Sequence, residues 1–208
     1  MSSHHYYRIR VMLCMMIASI ANNTSAENQD EILTNGLIDD RRSGDFRSNS
    51  GVEWRLISDD VMGGLSSGQL MLHEHKGKEC LRMSGNVTTE NNGGFLQIAL
   101  SLADISQSGE DVFDASGYSG VEIEVSGNNQ EYNIHFRTDG LWFPWQSYRT
   151  SFIASDDWRK IRLPFADLQP YKTTQSFSSN ELIRIGIVAI GRDFEAELCL
   201  ASLRFYSE

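Results

Sequence analysis

Few side chains in this sequence can do chemistry, and the shortages narrow its function. Five histidines and three cysteines stand among 208 residues, with no CxxC pair and no Cys/His cluster of the kind that holds zinc. No motif assembles a nucleophile, a base and an orienting group, which argues against an enzyme and for a binding domain. Long helical periodicity is missing, which excludes alternating βα units. Repeats, low-complexity blocks and a second domain are missing as well. Basic residues number 18 against 28 acidic ones, and the net charge of −10 disfavours nucleic acid and anionic membranes as partners.

Residues 1–26 differ in kind from the rest. Arg8 and Arg10 precede an apolar run from Val11 to Ala21, and Thr24, Ser25 and Ala26 form a small-residue site of the type cut by signal peptidase. The run is too short for a permanent span. A cleaved signal peptide, export to the periplasm or exterior, and no membrane span in the mature chain are therefore expected. A mitochondrial presequence is the alternative, since the segment holds two Arg and no acid; against it, Val11 to Ile20 is apolar on every side, whereas transit peptides are amphipathic. Cleavage removes those two charges and takes the balance from −10 to −12. It also removes Cys14, leaving Cys80 and Cys199. These either pair in an oxidising compartment, joining an early strand to the last, or stay as two buried thiols.

Residues 27–51 are mostly Asn, Asp, Ser, Gly and Arg without a sustained period, and predict a segment that is flexible or wraps a sheet edge. From residue 52 to 208 strand follows strand. Val121, Ile123 and Val125 alternate with Glu122, Glu124 and Ser126, and Glu131 to Thr138 alternates likewise, the period-two pattern of a half-buried strand. Lys76, Gly77 and Lys78 read as a hairpin turn. About ten strands with closely spaced turn signals predict an antiparallel β-sandwich, with one helical turn near Leu102 to Ser106. Trp54, Phe152, Trp158 and Phe165 are expected in its core.

Two glycine pairs organise this domain. Asp59, Asp60, Val61, Met62, Gly63, Gly64 and Asn91, Asn92, Gly93, Gly94, Phe95 each set Gly-Gly beside a large apolar residue after Asp or Asn, where backbone can take positive φ or approach another backbone closely. The fold can bring them together as one rim. With Trp54 and SDDVMGGLS, SGNVTTENNGGF, the later Ser116 to Val121, Trp158 with Leu163 to Phe165, and the closing strand through Tyr206, the chain resembles the CIA30 family, the complex I intermediate-associated protein 30 domain. The resemblance covers roughly Val52 to Tyr206. It implies a jelly-roll sandwich of the galactose-binding-like type, and protein binding as an assembly factor or chaperone, which in mitochondrial relatives serves complex I. Where many relatives have Gly-Asp-Gly, this chain has Gly127, Asn128, Asn129.

Two binding surfaces follow as expectations. The first is the glycine rim, with Asp59, Asp60, Met62, Gly63, Gly64, Asn91, Asn92, Gly93, Gly94 and Phe95 facing a protein partner, an unassembled subunit or an envelope protein. The second is a ring-rich loop, where Trp142 and Trp145 with Tyr148 would stack a glycan and His135 or Arg137 would lie nearby. Glu122 and Glu124 on one strand do not converge as a glycosidase pair does. His73 and His75 share a strand face without an evident third ligand. Asp59, Asp60, Glu90, Asn91 and Asn92 offer oxygens of the type calcium takes, but turn and capping duties account for them better. Neither metal nor cofactor is expected.

Overall fold

A computed structural model describes residues 35–106 and 111–208. The leader therefore lies outside the described residues, as does the first part of the segment that follows it. Twelve strands run in order: β1 Leu37–Asp39, β2 Arg55–Ser58, β3 Ser67–His75, β4 Lys78–Val87, β5 Phe95–Ser101, β6 Gly120–Gly127, β7 Gln130–Thr138, β8 Ser147–Ala154, β9 Arg159–Pro164, β10 Gln169–Tyr171, β11 Leu182–Ile190 and β12 Phe194–Tyr206. All pairs are antiparallel. One six-stranded sheet has the order β3-β4-β12-β6-β9 with β1 also on β12; the other runs β10-β8-β7-β11-β5-β2. Several 3-10 turns join the strands, among them Ala103–Ile105 within the stretch that the sequence marks.

Alternation in the sequence becomes two layers because each strand buries one side. Val121, Ile123 and Val125 from β6 meet Tyr132, Ile134 and Phe136 from β7 in a shared core that excludes solvent completely at those six positions. Trp54 lies there too, 2% exposed, with its indole N–H donating to Asp39 Oδ2 at 2.7 Å. Residues 35–51 thus pack on the sandwich. β1 pairs with β12, and the buried Arg41 guanidinium joins Asp39 at 3.2 Å while donating to the carbonyl of Arg47 at 2.6 Å. The predicted hairpin turn has Lys76 and Gly77 both in the left-handed region, at φ 48° and 75°, the geometry that matches strand twist.

Three sequence expectations change. β1 and β10, each of three residues, are too short to show a period, so ten predicted strands become twelve. Trp158 is not a core residue. It is half-buried beside β3, donating its indole N–H to His75 O at 3.1 Å, with Lys78 Nζ 5.3 Å from its ring. Phe165 is likewise half-buried, though packed against the core. Phe152 is buried at 6% exposure.

Cys80 and Cys199 form a disulfide between neighbouring strands β4 and β12, across 119 residues of sequence. Closing so long a loop removes entropy from the unfolded chain. Reduction of the purified protein should lower its unfolding free energy by about 3 kcal/mol, read as a shift in the urea midpoint that is absent in the Cys80→Ser, Cys199→Ser double variant.

Candidate functional site

The two glycine pairs do come together, and the cause is Asp59. It opens a 3-10 turn, Asp59–Met62, just after β2 and is 0% exposed. Its carboxylate accepts from Ser66 N at 2.9 Å, Ser66 Oγ at 2.5 Å, Phe95 N at 3.1 Å, and Gly94 N in a still shorter contact. A Cβ on Gly64 would stand 2.3 Å from this carboxylate and one on Gly93 2.5 Å from it, so neither position has room for a side chain. Gly63 takes φ 85° and Gly94 φ 121°, which a larger residue adopts only with strain. Burial alone would raise the Asp59 pKa; the donors from Gly94, Ser66 and Phe95 outweigh it and hold the group below the ordinary carboxylate range.

Asp59 is therefore a structural keystone rather than a rim contact. Ringed by N–H and O–H donors, its oxygens are not arranged for a cation either, and among the described residues no group of three or more His, Cys, Asp or Glu is gathered. Gly64 and Gly94 are buried; Asp60, Met62, Gly63 and Asn91 are exposed, and Gly93 and Phe95 half-buried. Beyond these, Val61 and Leu65, at 72% and 52% exposure, extend the apolar surface around Met62, itself 55% exposed. The sequence offered no period by which to mark either, because Val61 lies in a 3-10 turn of four residues and Leu65 in the short link between it and β3.

The ring-rich loop is also a built structure. Arg137, at the end of β7, donates to the carbonyls of Leu141 at 3.0 Å, Phe143 at 2.6 Å and Gln146 at 2.8 Å. Leu141 plugs inward at 5% exposure, and Phe143 N donates back to Gln146 Oε1 at 3.0 Å. Phe143 and Trp145 stack with centroids 4.9 Å apart and planes 6° from parallel, while Trp142 stands free at 87% exposure. Arg137 thus positions the loop and has little left for a ligand. Tyr148 is no platform: it is 1% exposed, donates its hydroxyl to Ser176 O at 3.0 Å, and packs edge-on to Phe177 at 5.2 Å. On β8 its side points with Phe152 into the core, a phase that the turn before it hid.

His135 faces outward on β7, opposite Gly186 of β11 and Arg149 of β8. Desolvation, then the charges of Arg149 and Arg184, push its pKa down to about 3, so the ring is neutral at physiological pH. Ser147 Oγ lies 3.3 Å from Nδ1, and the buried Nε2 has no partner. His73 and His75 stand with ring centroids 6.5 Å apart and gather no further ligand.

The two-sheet antiparallel sandwich thus displays an aromatic loop at one end. The sequence profile of the complex I intermediate-associated protein 30 family, CIA30, matches residues 44–199, and the chain belongs to that family. Among curated proteins none matches the sequence. Among solved structures the fold is similar to a family 11 carbohydrate-binding module from Clostridium thermocellum, in complex with a β-1,3-1,4-mixed-linked tetrasaccharide. That pair shares 11% identity and a TM-score of 0.58, covering 74% of this chain and 88% of that one. The family 11 module of a cellulosomal cellulase of the same organism aligns at TM-score 0.59 and 12% identity over 74% of this chain and 88% of its own. A family 30 module of C. thermocellum gives 0.50 and 15% over 70% and 91%. No helix among the described residues is long and apolar enough to cross a membrane.

Asp59 supplies a pH test with a defined sign. Its folded pKa lies below the unfolded value, so its contribution is complete above pH 4 or so and is lost as pH falls through the folded pKa. Asp59→Asn should cost about 3 kcal/mol at pH 7 by facing an amide N–H₂ to backbone donors, and should flatten the loss of stability as pH falls below about 4 in urea titrations.

Proposed function

We propose that this CIA30-family domain is a non-catalytic module that binds a polysaccharide through its aromatic loop. The observation that carries the reading is Trp142, an indole left 87% exposed on a loop that Arg137 fixes by three hydrogen bonds to carbonyls. With Phe143 and Trp145 also exposed on the same loop, at 52% and 47%, it makes an apolar patch of the kind that marks binding sites, and a ring held in place stacks a sugar with little loss of conformational entropy on binding. The similar family 11 module in complex with a tetrasaccharide supports the reading. Export agrees with it: a signal-type leader and the disulfide between Cys80 and Cys199 suit an oxidising, extracytoplasmic compartment. In affinity electrophoresis against a set of soluble polysaccharides, at least one should retard the protein. Trp142→Ala should then weaken binding roughly tenfold, about 1.4 kcal/mol, with an unchanged melting curve. Retardation by no polysaccharide would remove the proposal.

A second reading, protein binding in the manner of an assembly factor, is favoured by one separate feature. Val61, Met62 and Leu65 form an exposed apolar knob, held in place by the Asp59 network beneath it. Such a knob suits the centre of a small interface. Pull-down from the native host should recover a defined partner, and the Val61→Ser, Met62→Ser, Leu65→Ser variant should lose it while remaining folded; undiminished recovery would exclude the knob.

A further inference from the structure

The outer faces of the two sheets treat charge differently. On the β3-β4-β12-β6-β9 sheet, outward acids meet cations from neighbouring strands: Glu122 with Arg162 at 3.0 Å and Glu197 with Arg82 at 2.8 Å on adjacent strands, and Glu124 with Lys78 across the intervening β12. On the opposite sheet Arg55, Arg149 and Arg184 face outward, and among the described residues none has a carboxylate in ion-pair range. The first and second of these end one cross-strand row. Register aligns Arg149 with His135, His135 with Gly186, Gly186 with Ala99, and Ala99 with Arg55. Four strand spacings separate the ends, about 19 Å.

Between the arginines the row is small and polar. Gly186 has no side chain, and the Gln97 amide occupies that space; a Cβ there would stand 2.0 Å from Gln97 Nε2. The buried, unpartnered Nε2 of His135 sits in the same row. At the loop end, Arg149 lies over the Tyr171 ring at 3.8 Å. Arg184 is half-buried and pairs in register with Arg137, the residue that pins the aromatic loop.

We propose that this row, with Arg184 two residues from it along β11, is the track for an anionic oligosaccharide, whose carboxylate or sulfate groups are taken by Arg149, Arg184 and Arg55 while Trp142 stacks a sugar ring at the loop. The assignment rests on the glycan-binding reading and names its ligand class. Arginine presents a planar fork that matches carboxylate and sulfate oxygens two at a time. A half-buried guanidinium without a counter-ion keeps a field that solvent screens incompletely. Because the whole chain carries a net charge of −10, general attraction of polyanions is opposed, and selectivity must come from this local array. Neutral His135 adds no charge and leaves the arginines as the sole cations of the row.

The full chain should be tested by affinity electrophoresis and calorimetry against four probes: polygalacturonate, carrageenan, mixed-linkage β-glucan and single-stranded DNA. Binding at least tenfold tighter to polygalacturonate or to carrageenan than to β-glucan is expected, and which of the two prevails identifies carboxylate or sulfate. Arg184→Gln and Arg55→Gln should each reduce it about tenfold, with melting curves showing that the fold persists, and rising salt should weaken it. Equal or tighter binding of β-glucan that is lost in Trp142→Ala would overturn the anionic class and leave the glycan reading standing. Binding of none of the polysaccharides would overturn both. Preference for DNA, or an anionic glycan bound equally by Arg184→Gln and Arg55→Gln, would overturn the track.

Discussion

A carboxylate with no access to water must find donors for its oxygens within the chain, and Asp59 finds four. Two come from Ser66, just before β3, and two from Gly94 and Phe95, at the start of β5. Since β3 belongs to one sheet and β5 to the other, a single side chain ties the layers at one end of the sandwich. The glycine pairs follow as consequences. Gly64 and Gly93 lie against the carboxylate, where any Cβ would displace it, so the glycines exist to let backbone N–H groups reach an acid rather than to make a loop pliable. Ser66 Oγ completes the tie by lying within 3.3 Å of Thr88 O.

Much of the fold was legible because two-layer sheets write their burial as alternation. β6 and β7 are plain examples, and the Lys76, Gly77 turn names its own geometry. What could not be read is phase and partnership. Tyr148 and Trp145 are three residues apart in one aromatic run, but strand β8 begins between them; the first turns inward to Phe177 and the second stays on the loop. Arg137 shares a face with His135, as its spacing requires, and its guanidinium nevertheless bends to carbonyls up to nine residues on. Trp158 was misjudged for a related reason. A large ring beside apolar neighbours reads as core, whereas here it covers the flank of a hairpin under Lys78.

The rim is legible as a place, and it is a surface only in part: Asp60, Met62, Gly63 and Asn91 are exposed, whereas Asp59, Gly64 and Gly94 turn inward. Acid, amide and glycine in two clusters suggest contact with something, and contact does occur, between the clusters themselves. The part left over for a partner is the apolar knob of Val61, Met62 and Leu65, residues whose exposure depends on a four-residue turn stabilised from below.

The two candidate surfaces lie at opposite ends of one sheet, and this separation has a mechanistic consequence. β5 starts beside Ile190 and ends beside Arg184; the knob follows β2 at the first end, where Ser58 pairs with Leu96. The aromatic loop follows Thr138, which pairs with Leu182 at the other end. Some 20 Å of strand lies between them. A ligand small enough to sit at the loop cannot touch the knob, and one lying across the strands from Arg149 to Arg55 runs at right angles to that gap and meets β2 at its first residue, whereas the knob follows its last. On the two proposed readings the surfaces do not compete, so loss of one binding by mutation should leave the other intact unless Asp59 itself is changed.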